Sequence, residues 1–329
     1  MATIADVARA AGLSSATVSR VINNHQYVSE EKKQLVYQAM EALNYFPNAS
    51  AQKLRSKKTN TIGVMIPQLT NPFFTYLLEG IDRIATEHDY QLLVCQTKNN
   101  RFKELHFLNY LKAKQVDGII LTSIENDWAT IADYHTYGPI VLCNEYTYQM
   151  LVPMVRLDQQ EGAYIGTRHL IEKGHRAIGY CFGGNTSQLT IDRHAGYRRA
   201  LNQFGIPYKK DWIFRDAYDL EDGKRVFRNT LEMDNPPTAF FTGSDQVAAG
   251  IVKEAISHGF SVPGDISVIG FDDQPIASVL EPTLTTIKQP AEEIGSNAMN
   301  LMIKCLENHI DPSEMDIQLP LQLIVRQST

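Results

Sequence analysis

Two groups of residues in this chain of 329 residues have the types and spacing to do chemistry. The first is the run Ser14-Ser15-Ala16-Thr17-Val18-Ser19-Arg20-Val21-Ile22-Asn23. On a helix Val18, Val21 and Ile22 share one face, which leaves Ser15, Ala16, Ser19, Arg20 and Asn23 on the other. Small side chains let a backbone come close to a surface, hydroxyls reach phosphates or base edges, and a single Arg can bond guanine bidentately in a major groove. A well-capped surface helix would carry the same residues, and the run alone does not separate the two. Further on, Lys53-Leu54-Arg55 sets one large apolar side chain between two cations. Such a leucine can wedge between base steps in a minor groove; a plain basic linker is the alternative.

The second group is dispersed along the chain, at the ends of apolar runs that read as strands. It comprises Phe73, Phe74, Asn144, Asp158, Arg193, Tyr218, Ser244, Asp245 and Asp272. Aromatic rings with carboxylates, an amide and one Arg suit a hydroxylated ring, whose CH faces stack and whose hydroxyls both donate and accept. Each also has a plainer role open to it. Asp272 could cap a helix, Phe73 or Phe74 could fill a core, and Arg193 could pair with Asp192 or a surface acid. No catalytic motif competes: GxSxG, HExxH and GxxxxGK[ST] are missing, and Gly179, Gly183 and Gly184 do not form GxGxxG. The nine histidines are scattered, and His169 and His175 stand six apart, a poor metal spacing. The expectation is a binding protein with no catalytic residues, no metal and no cofactor.

The elements that must position these groups follow from periodicity. Residues 4–11 predict a short helix with Ile4, Val7, Ala8 and Ala11 on one face and Thr3 as its cap. Gly12-Leu13-Ser14 turns the chain, Ser14 capping a second helix over 15–23. A third spans 29–43, with Leu35, Val36, Ala39, Met40 and Leu43 as its apolar stripe and Pro47 beyond its end. Residues 49–55 look helical but cover only about two turns, too few to be stable alone in water. From Thr61 onward short apolar runs alternate with amphipathic helices, the mark of parallel α/β architecture. Strands are expected at 61–67, 91–96, 118–122 and 139–144, with helices opening at Asn71-Pro72 and over 104–112. The pattern then recurs: strands at 177–183, 238–242 and 266–271, with a helix at 196–204. Two similar open sheets in series imply two lobes with a cleft between them, where ligands of such sheets sit.

Charge agrees with a polyanion partner at one end. Residues 1–60 hold eight Lys/Arg against four Asp/Glu, a balance of +4; with a net charge of −6, the rest carries −10. No run of about 18 apolar residues could span a bilayer, and the N-terminal stretch carries Asp6 and Arg9 where a secretory leader would be apolar. A cytoplasmic protein without membrane association is expected. Cys95, Cys143, Cys181 and Cys305 lack CxxC spacing and read as small buried hydrophobes in a reducing compartment.

The run Thr3-Ile4-x-Asp6-Val7-Ala8-x-x-Ala11-Gly12-Leu13-Ser14-x-x-Thr17-Val18-Ser19-Arg20-Val21-Ile22-Asn23 resembles the N-terminal signature of the LacI/GalR family of bacterial transcriptional regulators. Tyr45-Phe46-Pro47-Asn48, His169-Leu170-Ile171-Glu172-Lys173-Gly174-His175, Ile269-Gly270-Phe271-Asp272, Pro282-x-Leu284-Thr285-Thr286 and the closing Leu323 to Thr329 are similar to further landmarks, so the resemblance spans essentially the whole chain. It implies an all-α helix-turn-helix headpiece over 1–46 (motif 4–23), a hinge helix and linker over 47–60, and a two-lobed periplasmic-binding-protein-like α/β body over 61–329 that binds effector and dimerises. The chain of such a body crosses between lobes about three times, here expected near Asp158, Ile287 and Pro320, so that the helix around 294–305 returns to the first lobe. The resemblance further implies a homodimer on a near-palindromic operator in double-stranded DNA. Ser15 and Ala16 fall at the family's main specificity positions, Arg20 supplies direct readout, and Leu54 matches the leucine that opens the central base step. Thr3, Ser14, Thr17, Ser19, Asn23 and Arg55 complete the expected DNA contacts. Arg193 and Asp272 fall in matched effector motifs, and Tyr218 where relatives place a stacking aromatic. The chain stops after its last strand without a leucine heptad, so a dimer and not a tetramer is expected.

The function expected is therefore a sequence-specific repressor whose operator affinity responds to a sugar or sugar derivative bound between the lobes. A transporter's solute-binding protein would share the body but needs a leader and no basic head. A sugar-modifying enzyme would need an acid–base or phosphate site. A regulator governed by a partner protein stays open.

Overall fold

The computed structural model describes residues 2–22, 27–46, 58–147, 152–184 and 187–329. The chain divides into two compact units, Met1–Thr59 and Asn60–Thr329.

In the first unit, α1 (Ile4–Ala11) opens with a capping box: the Thr3 hydroxyl accepts from the Asp6 N–H, and the Asp6 carboxylate accepts from the Thr3 N–H at 2.9 Å. Gly12 closes the helix at φ 65°, a left-handed conformation that costs glycine little. Ser14 Oγ accepts the Thr17 N–H at 3.1 Å and starts α2 (Ser15–Ile22). With α3 (Glu30–Ala42), these helices bury Val7, Ala8, Val18, Val21, Val36 and Ala39. Each fully buried valine contributes about 1.5–3 kcal/mol, so this small core is sensitive to single truncations. The expected stripe on α3 is narrower than its spacing suggested. Leu35 and Leu43 are exposed, because only the Val36–Ala39–Met40 edge meets α1 and α2. Residues 49–55, expected to form the hinge helix, lie outside the described ones, as do the flanking 47–48 and 56–57.

The second unit is built on two six-stranded sheets. The first holds β1 (Thr61–Ile66), β2 (Gln91–Gln96), β3 (Gly118–Leu121), β4 (Ile140–Cys143), β5 (Met154–Leu157) and β11 (Asp316–Leu319) in the order β11-β5-β4-β3-β1-β2, all parallel. The second holds β6 (Ile178–Cys181), β7 (Ile213–Phe214), β8 (Ala239–Thr242), β9 (Ser267–Asp272), β10 (Thr285–Lys288) and β12 (Gln322–Ile324) in the order β12-β10-β9-β8-β6-β7, with only β12 antiparallel. Both lobes thus share one winding, second strand outside the first and the third on its other flank. Strands β3, β4, β6 and β8, apolar but for Thr242 at the end of β8, are fully buried, as strands covered on both faces must be.

The chain passes between lobes after β5, after β10 and before β12, where crossings at Asp158, Ile287 and Pro320 were expected. Helix α12 (Ala291–Leu306) returns to the first lobe and packs on α4 (Pro72–Glu87), burying Ile294, Ala298 and Met302 with Leu77, Ile81 and Ile84. Other helices start earlier than periodicity suggested. Asn100 caps α5 (Arg101–Lys112) and Ser187 caps α8 (Gln188–Gln203), extending both at the N-terminal end with turns whose apolar Phe102 and Ile191 are exposed and so fall off the buried stripe. The remaining helices are α6 (Trp128–Ala132), α7 (Gln159–Glu172), α9 (Leu220–Leu231), α10 (Asp245–Ser257) and α11 (Ile276–Val279).

Candidate functional site

The outward face of α2 is small and polar. Ser15, Ala16 and Arg20 are exposed, and Thr17 and Ser19 are half-buried, while Val18 and Val21 hold the helix to the core. Ser14 and Thr17 hydroxyls stand 2.9 Å apart and are partly engaged in capping, and the Thr3 hydroxyl donates to Asp6 at 2.7 Å. Arg20 forms no salt bridge among the described residues, so its guanidinium fork is unclaimed within its own helices. Asn23, Leu54 and Arg55 lie outside the described residues.

In the second unit, each sheet has a switch point where the strand order reverses, between β1 and β3 and between β6 and β8. Loops leaving the carboxyl ends at such points diverge and leave a crevice. Here both crevices open into one cavity of about 380 Å³, lined from the first lobe by Gln68, Asn71, Ser123 and Glu125 and from the second by Gly184 and Gly243. A second hollow of about 460 Å³ lies beside it, around Lys288, Pro290 and Arg326. It shares Phe73, Asp272 and Gln289 with the cavity, and its arginine, Arg326, is already paired with Asp273 at 2.7 Å.

Six of the nine expected ligand residues line the cavity between the lobes: Phe73, Phe74, Asn144, Arg193, Tyr218 and Asp272. Asn71 caps α4 by accepting the Phe73 N–H at 3.0 Å, which fixes the edge-to-face pair of Phe73 and Phe74 at the cavity wall. The ring of Tyr218 lies over Gly183, where a Cβ would come within 2.6 Å of it, and Asp222 accepts the Tyr218 N–H at 2.9 Å. Arg193 lies flat on Phe271 at 3.7 Å and donates to Gln159 (2.7 Å) and the Gly243 carbonyl (3.0 Å). It pairs with neither Asp192, which accepts from Gln188, nor a surface acid. Asp272 does not cap a helix. Its carboxylate accepts from Gln289 at 2.6 Å and Gln274 at 2.8 Å, and its φ of 110° is a strained value for a residue with a Cβ. Burial pushes its carboxyl up to about 6, while Arg193 and the two amides pull the other way.

The other three expected residues do not reach the cavity. Asp158 is exposed and caps α7 through the Glu161 N–H at 2.8 Å. Ser244 caps α10 through Val247. Asp245 is fully buried and accepts from the Gln274 N–H (2.6 Å) and the Thr286 hydroxyl (2.5 Å), tying β9 and β10 to α10. Acidic residues just beyond strand ends serve as helix caps as readily as ligands, and their residue types do not separate the two roles.

The residues missed in the sequence are mostly amides and acids in loops. Gln159, 1% exposed, donates to Asn144 and to Gln289, each at 3.2 Å, and accepts from Arg193. Gln274 donates to Asp272 and, across the lobes, to Asn71 at 3.0 Å. The result is a continuous polar belt, Asn71–Gln274–Asp272–Gln289–Gln159–Asn144, that begins and ends in the first lobe and passes through the second. Glu145 is 2% exposed, and burial, reinforced by Glu125 and Glu104, pushes its carboxyl well above the usual range. Glu125 is raised in the same way. A signal for Glu145 existed: it ends the wholly apolar run Pro139 to Cys143 immediately after Asn144. Among the described residues no group of His, Cys, Asp and Glu is arranged to hold a metal ion.

Headpiece, two-lobed body and inter-lobe cavity define a ligand-responsive DNA-binding protein, and comparison with known proteins places it. Residues 3–48 match the model of bacterial regulatory proteins of the lacI family, and residues 59–327 match that of periplasmic binding proteins and the sugar-binding domain of the LacI family. The chain belongs to the LacI family of bacterial regulatory proteins. It is a transcriptional regulator with a helix-turn-helix domain and an effector-binding body. It is 42% identical over 329 residues, all of both chains, to the NTD biosynthesis operon regulator NtdR of Bacillus subtilis (strain 168). Its fold superposes with a TM-score of 0.88 on the lac repressor dimer bound to operator and the anti-inducer ONPF, at 27% identity and covering 99% of this chain and 98% of that one. A LacI family regulator from Lactobacillus casei with bound glucose gives a TM-score of 0.75 at 28% identity, covering 82% and 99%. No described helix is long and apolar enough to cross a membrane.

Proposed function

We propose that this regulator is a homodimeric repressor that binds operator DNA and is controlled by a sugar-like effector held in the inter-lobe cavity. In this reading residues 1–46 bind DNA, 47–60 form the hinge and linker, and 61–329 bind effector and dimerise. The carrying observation is the cavity at the two switch points, where the lobes contribute an aromatic wall, an Arg and a belt of amides to one space of about 380 Å³. That volume falls at the lower end of ligand pockets, roughly 300–1,000 Å³. Stacking surfaces with paired donors and acceptors match a polyol ring better than an apolar or polyanionic ligand. The glucose-bound relative and the operator-bound lac repressor dimer support the ligand class, the DNA partner and the dimer. Asp272 and Arg193 hold effector hydroxyls, Phe73 and Tyr218 stack on the ring, and the site binds its ligand without turning it over.

The test is a thermal-unfolding screen of the full chain against neutral sugars, amino sugars and sugar phosphates. A ligand at about 100 times its Kd adds about 2.7 kcal/mol to stability, a shift of several degrees. A hit that is lost in Asp272→Asn or Arg193→Ala supports the site; a panel without any hit contradicts the sugar reading.

A further inference from the structure

We infer that the effector carries a protonated amine, seated against the Glu145 and Glu125 carboxyl groups. This rests on the effector reading above and narrows its ligand to a cationic amino sugar.

Among the described residues the cavity is lined by three acidic side chains, Glu125, Glu145 and Asp272, and by one cation, Arg193, with no Lys or His. Two of these charges are already supplied with partners. Asp272 accepts from two glutamine amides, and Arg193 has its Nε and Nη1 committed to Gln159 and Gly243. Neither forms a salt bridge among the described residues. Glu145 stands apart. It is 98% buried, yet among the described residues no side-chain hydrogen bond or ion pair reaches its carboxyl group. The contrast with Glu104 decides how to read it. Glu104 is equally buried, but it accepts from the Glu125 and Asn126 N–H groups, both at 2.9 Å, and from the Asn126 amide. Glu104 is thus a structural carboxylate that pins the loop carrying Glu125 to the cavity. Glu145, on the adjoining strand end, has no such occupation. Ser123, on the same side of the cavity, also has a buried hydroxyl without a hydrogen-bond partner.

A buried carboxylate with no donor is costly to keep ionised, and a neutral polyol supplies donors but no charge. An ammonium supplies both. It has three N–H donors, enough for Glu145, Glu125 and Ser123 together, and its bonds to carboxylates are of the strong charge-assisted kind. Glu125 and Glu104 each act on Glu145 more strongly than Arg193 does in the opposite sense, and Asp192 adds to them, so the field there stays negative and favours a cation further. The rest of the ligand then meets the same wall as before, ring face on the aromatics and hydroxyls toward Asn144, Gln289 and Arg193.

The experiment is calorimetric titration of the full chain at neutral pH with matched probes: glucose, and its amino-deoxy analogues carrying the amine at each carbon in turn. At least one analogue should bind about tenfold or more tightly than glucose, the effect of a single good charge-assisted hydrogen bond. Glu145→Gln should bring that ratio down toward one, and Glu125→Gln should lower it. Thermal unfolding of both variants confirms that they are folded. Glucose binding as tightly as every analogue overturns the inference while leaving the sugar reading in place, as does a ratio that survives Glu145→Gln. Failure of all probes to bind removes the sugar reading itself and this inference with it.

Discussion

Arg193 and Asp272 occupy opposite ends of one short chain of contacts, Arg193–Gln159–Gln289–Asp272, and both face the cavity. Removing either should abolish the response to effector and leave affinity for operator in its absence unchanged. Operator titrations of Asp272→Asn and Arg193→Ala, with and without ligand, check this, and a normal response from both would move the site elsewhere. On α2, Arg20 is the only exposed side chain able to read a base bidentately. Arg20→Ala should cost about 1–3 kcal/mol of operator affinity and relax preference at one base pair per half-site, which in vitro binding-site selection would reveal. Glu145 makes a prediction about pH. Its carboxyl is raised in the folded protein by burial and by Glu125 and Glu104, so the fold holds a proton that the unfolded chain releases near pH 4.3, the ordinary value. Its contribution to stability is therefore present below that pH and is lost as pH rises through the raised value. Glu145→Gln removes the loss, so the ligand-free variant should gain stability over wild type as pH rises above the ordinary carboxylate range, with a flatter profile in denaturant titrations. An unchanged difference over that rise would show that Glu145 is solvated or paired.

At the scale of elements, much was readable from the chain and the remainder has physical reasons for staying hidden. The first sheet's strands announce themselves as apolar runs, and α1 and α2 by capping residues and period. Short strands such as β7 and β12, with two and three residues, are too brief to show a period. Arg193 and Asp272 were legible because each stands in a recognisable motif. Gln159, Gln274 and Gln289 were not, because glutamine in a loop is usually solvated and nothing local says that three will meet. Asp245 misled for the converse reason: its carboxylate at a strand end serves as an internal bracket. The Asn71–Gln274 bond joins the two lobes directly, at 3.0 Å. Gln274→Ala removes that bond and one of the two amides on Asp272, so effector should bind roughly tenfold more weakly, by the value of about one buried hydrogen bond. Calorimetry of the variant decides; unchanged affinity would mean that the lobes are held by the cavity walls alone. The expected hinge makes a separate demand. If Leu54 enters a base step, Leu54→Gly should abolish operator bending and specific affinity while leaving salt-sensitive non-specific binding intact. A bending assay beside affinities for operator and random DNA tests this, and equal loss of both affinities would reduce the segment to a linker.

At the scale of the molecule, a small basic reader and a large acidic sensor are joined in one chain, and the function requires that they be coupled. The sensor has the means: three passages of the chain between lobes and a polar belt through the cavity that links them, so a ligand there interacts with both lobes at once. A ligand shifts such an equilibrium only by its differential affinity for the two states, and coupling free energies are typically about 1–3 kcal/mol. The most direct measurement is fluorescence-anisotropy titration of the full chain onto its selected operator, in the absence and at saturation of the sugar identified by thermal shift, with Arg193→Ala alongside. The account predicts a change in operator affinity of roughly 5- to 150-fold for wild type and none for the variant. Equal operator affinity with and without bound sugar in the wild-type protein would contradict it.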